Sequence, residues 1–134
     1  MSMDFRNKAG ATFHTTALHW AVFLTLAQGF RWKPAGTLRP PGLASSEEWN
    51  GRYDTNDGQI VSDADAKQLA QAIHAAAVYD KIDFALTDVI RRVEGQIEAA
   101  GTKFPAAMRM KPEHFLKEFS PLLMFLYQGE FIID

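Results

Sequence analysis

The chain has 134 residues, of which 47% are apolar, 22% charged and 12% aromatic, and its 14 basic and 16 acidic side chains leave a formal charge of −2. These proportions fit a single globular domain over residues 1–134 and exclude a disordered or fibrous chain, as well as a generally basic surface that would coat nucleic acid. The absence of cysteine excludes disulfides, thiolate zinc sites, iron–sulfur clusters and cysteine nucleophiles, and it suits a reducing cytoplasm.

Residues 1–8 carry Asp4, Arg6 and Lys8 with no apolar run behind them, so they do not read as a secretory signal. The longest apolar run, 17–26, holds His19 and Thr25 and falls short of the roughly 20 residues of a bilayer span; no membrane crossing is expected. Thr15 or Thr16 caps a helix over 17–28, and Gly29 stands where a left-handed residue would end it. Leu18, Trp20, Val22, Phe23, Leu24 and Leu26 leave almost no polar stripe, which places this helix at the centre of the domain.

Residues 30–51 form a long loop broken by Pro34, Gly36, Pro40, Pro41 and Gly42, and Trp32 and Trp49 argue that it is pinned down. Residues 52–54 and 59–61 flank Thr55-Asn56-Asp57-Gly58, a cluster tolerant of positive φ, and read as a short β-hairpin. Ser62 with Asp65 three positions on is a near capping box, opening a helix to about Val78 with Leu69 and Ile73 on its inner face. A third helix runs from about Asp83 to a stop at Gly101, and a break between the two is favoured on length. After a loop over 102–111, Pro112 opens a last helix that Ser120-Pro121 restarts or kinks. The tail Phe131-Ile132-Ile133 is a strand in need of a partner, either 30–33 or 59–61. The expected fold is α+β and mainly helical, with four to five helices around a buried first helix and a small antiparallel hairpin or sheet.

No catalytic template fits. With Gly58 as the sixth residue of a calcium loop, Tyr53 and Ala64 fall at positions that must be ligands. His14, His19, His74 and His114 form no spaced ligand pair, although His19 in an apolar helix requires a hydrogen-bonding partner. No serine elbow and no glycine-rich phosphate cradle is present, so neither metal nor cofactor is expected. Glu47 and Glu48 beside Trp49, with Asp54 and Asp57 beyond, have the composition of a general acid–base pair next to a ring-stacking aromatic, but a solvated loop and turn use the same residues. Four aspartates and no cation lie within 54–65, whereas 103–117 carries four cations against Glu113; opposite patches of this kind suit oppositely charged protein partners.

Three segments together carry a likeness: Trp32-Lys33-Pro34-Ala35-Gly36-Thr37, then Trp49-Asn50-Gly51-Arg52-Tyr53 leading to Asn56-Asp57-Gly58-Gln59-Ile60-Val61, and the tail Gly129-Glu130-Phe131. The arrangement resembles small bacterial proteins in which a Trp-Pro-Gly loop precedes an Asn-Asp-Gly turn and an alanine-rich helix. The likeness implies a bacterial, cytoplasmic protein and assigns no activity. The function expected from these readings is a non-catalytic protein-interaction module, of which an immunity-type protein that neutralises a toxin is one form. Its candidate binding residues are Trp32, Trp49, Arg52, Tyr53, Asp54, Asn56 and Asp57, with a protein partner or a second copy as the expected contact. The competing class is a small-molecule binder or hydrolase whose pocket is lined by Trp32, Trp49 and Tyr53, with Glu47, Glu48 or Asp54 acting on the ligand. Two carboxylates converging in a concave pocket would favour the enzyme, and an open surface the partner.

Overall fold

Strict alternation organises the N-terminus. The computed structural model, which describes residues 2–79, 82–101, 103 and 109–134, begins with a hairpin of β1 (Ser2–Asn7) and β2 (Thr12–Thr16). Met3, Phe5, Phe13 and Thr15 turn inward and are buried, while Asp4, Arg6, Thr12 and His14 face out. This hairpin has no counterpart in the sequence reading, in which residues 1–8 were weighed only as a leader. β4 (Phe131–Ile133) inserts between β1 and β3 (Gln59–Val61), giving an antiparallel sheet in the order β2-β1-β4-β3. The tail therefore does pair with 59–61, through Gln59↔Ile133 and Val61↔Phe131, and on its other side with β1.

The hairpin expected around residues 55–58 does not form. The carbonyls that residues 52 and 53 would offer to a ladder are taken by side chains: Arg52 O accepts from Thr37 Oγ1 at 2.7 Å, and Tyr53 O from Trp20 Nε1 at 2.9 Å. The turn is closed by the buried Gln59 amide, which donates to Thr55 O at 2.7 Å and accepts from the Asp57 N–H at 2.9 Å. Gly58 has the expected positive φ of 82°, and its N–H donates to Ile133 O at 2.8 Å.

Among the described residues, four helical segments cover one face of the sheet or pack on those that do. α1 (Ala17–Gly29) is capped by Thr16, whose hydroxyl accepts from His19 N at 3.1 Å. Trp20, Val22, Phe23, Leu26 and Ala27 are buried, Ala21, Leu24 and Thr25 are half-buried, and the helix packs against both α2 (Asp63–Tyr79) and α3 (Ile82–Ala99). Its enclosure is thus close to complete along one side and partial along the other. α4 (Glu113–Tyr127) packs on α2 and β2. Pro121 neither restarts nor breaks α4, because it lies on the exposed side, where a carbonyl left without its donor faces solvent. α2 is described to Tyr79 and α3 from Ile82; the break expected between them falls at residues 80–81, outside the described residues, as does most of the loop expected over 102–111. Phe5 is the hub of the core: its ring lies 4.6 Å from Trp20, 5.1 Å from Phe131 and 6.2 Å from Phe125, joining both termini to α1 and α4.

The end of α1 departs from the sequence reading. Gly29 is not left-handed; the left-handed residue is Arg31, with φ of 73°. The N–H groups of Phe30 and Trp32 both donate to Ala27 O at 3.0 Å, a Schellman-type turn in which Arg31 occupies the position that favours glycine. With Gly29 inside the last turn of the helix, the chain brings Trp32 back over Ala27 and into the core, where Trp32 is 4% exposed. Arg31→Gly is expected to stabilise the protein by about 1 kcal/mol, measured by denaturant titration, since the αL cost to a residue with a Cβ is of that order. A loss of stability would mean that the Arg31 side chain holds the turn.

Candidate functional site

Residues 31–57 form a strap held at both ends by one buried carboxylate. Ser62 caps α2, its hydroxyl accepting from Asp65 N at 3.2 Å, and this sets Asp65 in the first turn of the helix. The Asp65 side chain does not complete a capping box; it turns inward, 1% exposed, to accept from Trp32 Nε1 at 2.9 Å and Tyr53 OH at 2.5 Å. The Tyr53 oxygen in turn accepts from Gly36 N at 2.9 Å. Burial, then the hydrogen bond to Asp65 and its negative charge, push the Tyr53 hydroxyl well above the ordinary tyrosine range, so it stays a donor.

Between these anchors the strap crosses itself. Gly36 and Gly51 both have positive φ, and a Cβ on Gly51 would lie 3.1 Å from the Gly36 Cα, so the crossing needs glycine at this approach. Thr37 N donates to Gly51 O at 3.1 Å, and Trp49 Nε1 donates to Thr37 O at 3.0 Å. One residue further, Leu38 exchanges backbone hydrogen bonds with Ile60 at 2.7 and 3.2 Å, adding a single bridge to the β3 edge.

That bridge extends a row on the open face of the sheet. Residues directly opposite in an antiparallel pair share a face, so Leu38, Ile60, Ile132, Arg6 and Thr12 stand side by side across the sheet. At about 4.8 Å between strands the row spans about 19 Å. Leu38 is 51% exposed, and Ile60 and Ile132 are half-buried. Nearby on this face Arg6 pairs with Asp134, and Asp4 with His14.

The candidate residues divide accordingly. Trp32 is in the core, Tyr53 and Trp49 are half-buried with their polar atoms engaged by the strap, and Arg52, Asp54, Asn56 and Asp57 are exposed. Asn56 ties the turn to β1 by donating to Ser2 O at 2.7 Å. Trp32 and Tyr53 converge on one carboxylate, Asp65, which the sequence offered only as a helix-end charge. Leu38, Ile60 and Ile132 went unnoticed as a group, because only tertiary pairing aligns them; the one signal was an isolated leucine among prolines and glycines. A groove of about 690 Å³ lies elsewhere, between α1 and α3, lined by Leu26, Phe30, Phe84, Ala85 and Val89 with the Asp88–Arg92 ion pair beside it. It brings together neither the strap aromatics nor two carboxylates.

The partner that His19 required is Glu118. The imidazole Nδ1 meets one carboxylate oxygen, Thr15 Oγ1 donates to the other at 2.7 Å, and the ring lies 4.4 Å from Phe115. Burial raises the Glu118 pKa, but the hydrogen bonds from His19 and Thr15 and the charges of His19 and His14 outweigh it and hold the carboxyl below the ordinary glutamate range. This cluster fastens α4 to α1 and β2. Among the described residues no group of three or more His, Asp or Glu is placed to hold a metal ion, and no helix is long and apolar enough to cross a membrane. Compared with protein-family models, curated proteins and solved structures, the chain matches none.

Two outcomes test the anchors. Asp65→Ala leaves the Trp32 and Tyr53 donors unmatched and is expected to cost about 2–4 kcal/mol in denaturant titration, against about 1–2 kcal/mol for Tyr53→Phe; equal, near-zero losses would show that the strap is held by other contacts. Because the Glu118 pKa is lower folded than unfolded, its contribution is present above the ordinary value of 4.5 and is lost as pH falls through the folded value. Glu118→Gln should therefore lower stability at neutral pH and flatten the acid limb of a stability–pH curve, the two proteins converging at low pH.

Proposed function

We propose that this chain is a non-catalytic protein-interaction module whose contact surface is the outer side of the strap together with the open sheet face. The observation that carries the reading is the Leu38–Ile60–Ile132 row: an exposed leucine and two half-buried isoleucines side by side on a sheet face whose opposite side is packed with helices. Residues facing water on an open antiparallel face are ordinarily polar, and contiguous apolar exposure rimmed by charge is what interaction sites show. The strap suits the role because its hydrogen bonds hold it in place before any partner arrives, which lowers the ordering cost of association.

The hydrolase reading draws less support. Trp32, Trp49 and Tyr53 have their polar atoms engaged by Asp65, Thr37 and Gly36 rather than aimed into a cleft. The binding contribution of the candidate set therefore comes from Arg52, Asp54, Asn56 and Asp57, with the aromatics acting as their support. A bacterial, cytoplasmic setting belongs to the same proposal, and an immunity-type role is one form the module takes.

The experiment places a benzophenone side chain at position 38 and, separately, at position 84, where Phe84 is 76% exposed on the α1–α3 groove. Irradiation in the native cells should give a discrete protein adduct from position 38 and not from position 84. Adducts from position 84 alone would move the contact surface to the groove, and none from position 38 would overturn the reading.

A further inference from the structure

We propose that a second copy of this chain docks on the outer face of α2 and α4, related by a two-fold axis, so that two chains associate through a layer of four helices. The inference goes beyond the sheet-face reading and uses none of its residues.

Charge distinguishes this face from the rest of the surface. Gln68–Tyr79, the later turns of α2, contain no Asp, Glu, Lys or Arg, and neither do Phe119–Gln128 on α4 and at its end. A helix with one side on the core ordinarily carries charge on the other, as α3 does with exposed Asp88, Arg91, Arg92 and Glu98. Apolar side chains stand here instead. Of the six large ones exposed among the described residues, four belong to these two helices: Val78, Leu116, Met124 and Tyr127, with Val78 63% and Met124 70% exposed. They share a surface. Leu116, Ser120, Leu123, Met124 and Tyr127 recur at the spacing of one helix face, turned away from the buried Phe115, Leu122 and Phe125, and Gln71, His74 and Val78 recur in the same way on α2. α2 and α4 pack on each other, and the Tyr127 hydroxyl, 3.4 Å from His74 Nδ1, joins the two stripes.

A face without charge does not repel its own copy. Its polar groups are the Gln71 amide, the His74 imidazole and the Ser120 and Tyr127 hydroxyls. Amides, hydroxyls and neutral imidazoles each both donate and accept hydrogen bonds, so the face is complementary to itself, as a two-fold interface between identical chains requires. Charge depletion with exposed Tyr and Met is also the composition of interface cores. The charges that remain lie at the ends and balance: Lys67 pairs with Asp63 at 3.1 Å, and the exposed Glu113 and Lys117 at the start of α4 are of opposite sign. Nucleic acid finds no run of cations here, and an anionic membrane finds no cationic rim.

Sedimentation equilibrium of the full chain over rising concentration is the test. The mean mass should climb from that of one chain toward that of two below about 1 mM, with a dissociation constant that changes less than about threefold between low and high salt, because no ion pair crosses the contact. Val78→Lys/Met124→Lys should raise that constant by about a hundredfold or more, since it buries like charges against one another, whereas Phe84→Lys, on the other exposed helix, should leave it within about twofold. The unaltered chain needs no substitution, so a misfolded variant does not block the result. A single-chain mass at every concentration overturns the inference, whether or not the chain then floats with neutral phosphatidylcholine vesicles. A pair that ignores Val78→Lys/Met124→Lys but is lost in Leu38→Asp or Phe84→Lys overturns it too, by placing the contact on another face.

Discussion

A carboxylate with almost no access to water governs the strap and the elements it joins. Asp65 sits in the first turn of α2, and its two oxygens receive the Trp32 indole and the Tyr53 hydroxyl, residues 21 apart in sequence that bracket the strap. Closing so long a loop is entropically unfavourable, and an unpaired buried carboxylate more so. Each problem is solved by the other: the strap supplies the donors that the acid needs, and the acid supplies the fixed point that the strap needs. The crossing at Gly36 and Gly51 and the Leu38–Ile60 bridge are possible because both ends are already held.

The same economy joins the termini. β1 and β4 are neighbours, so the first and last described segments of the chain share one ladder, and Phe5 and Phe131 meet beneath it at 5.1 Å. Among the described residues the helices lie on one side of the sheet, and the residues of its other face follow directly from register: shifting any strand by one position would exchange the Phe5 row for the Arg6 row. The surface that this exposes is part charged and internally paired, through Arg6–Asp134 and Asp4–His14, and part apolar, at Leu38, Ile60 and Ile132.

Local patterns were legible wherever they are enforced locally. The Thr16 and Ser62 caps, the run that buries Trp20 and Phe23, the terminal strand and the positive φ of Gly58 all follow from neighbours within a few residues. Where competing partners lie far away, the local reading failed. The hairpin at residues 55–58 lost its ladder because Trp20 and Thr37 took the carbonyls of Tyr53 and Arg52, and the helix stop passed from Gly29 to Arg31 as Trp32 entered the core. The β1–β2 hairpin did carry a local signal, the alternation of Met3 and Phe5 with Asp4 and Arg6 and of Phe13 with Thr12 and His14, which the reading of residues 1–8 for a leader passed over.

By itself, then, the sequence determined the class of fold, most helix positions and the exclusion of thiol, metal-motif and phosphate-loop chemistry, since these depend on residue identity and short-range periodicity. Tertiary structure decided which side of each aromatic is available. Trp32 and Tyr53, expected as contact residues, turn their polar atoms onto Asp65 and hold the strap in place, while Leu38, Ile60 and Ile132, distant in sequence, become neighbours only across paired strands. The reason is that burial and adjacency are properties of pairings between remote segments, and no residue carries its remote partner in its own neighbourhood.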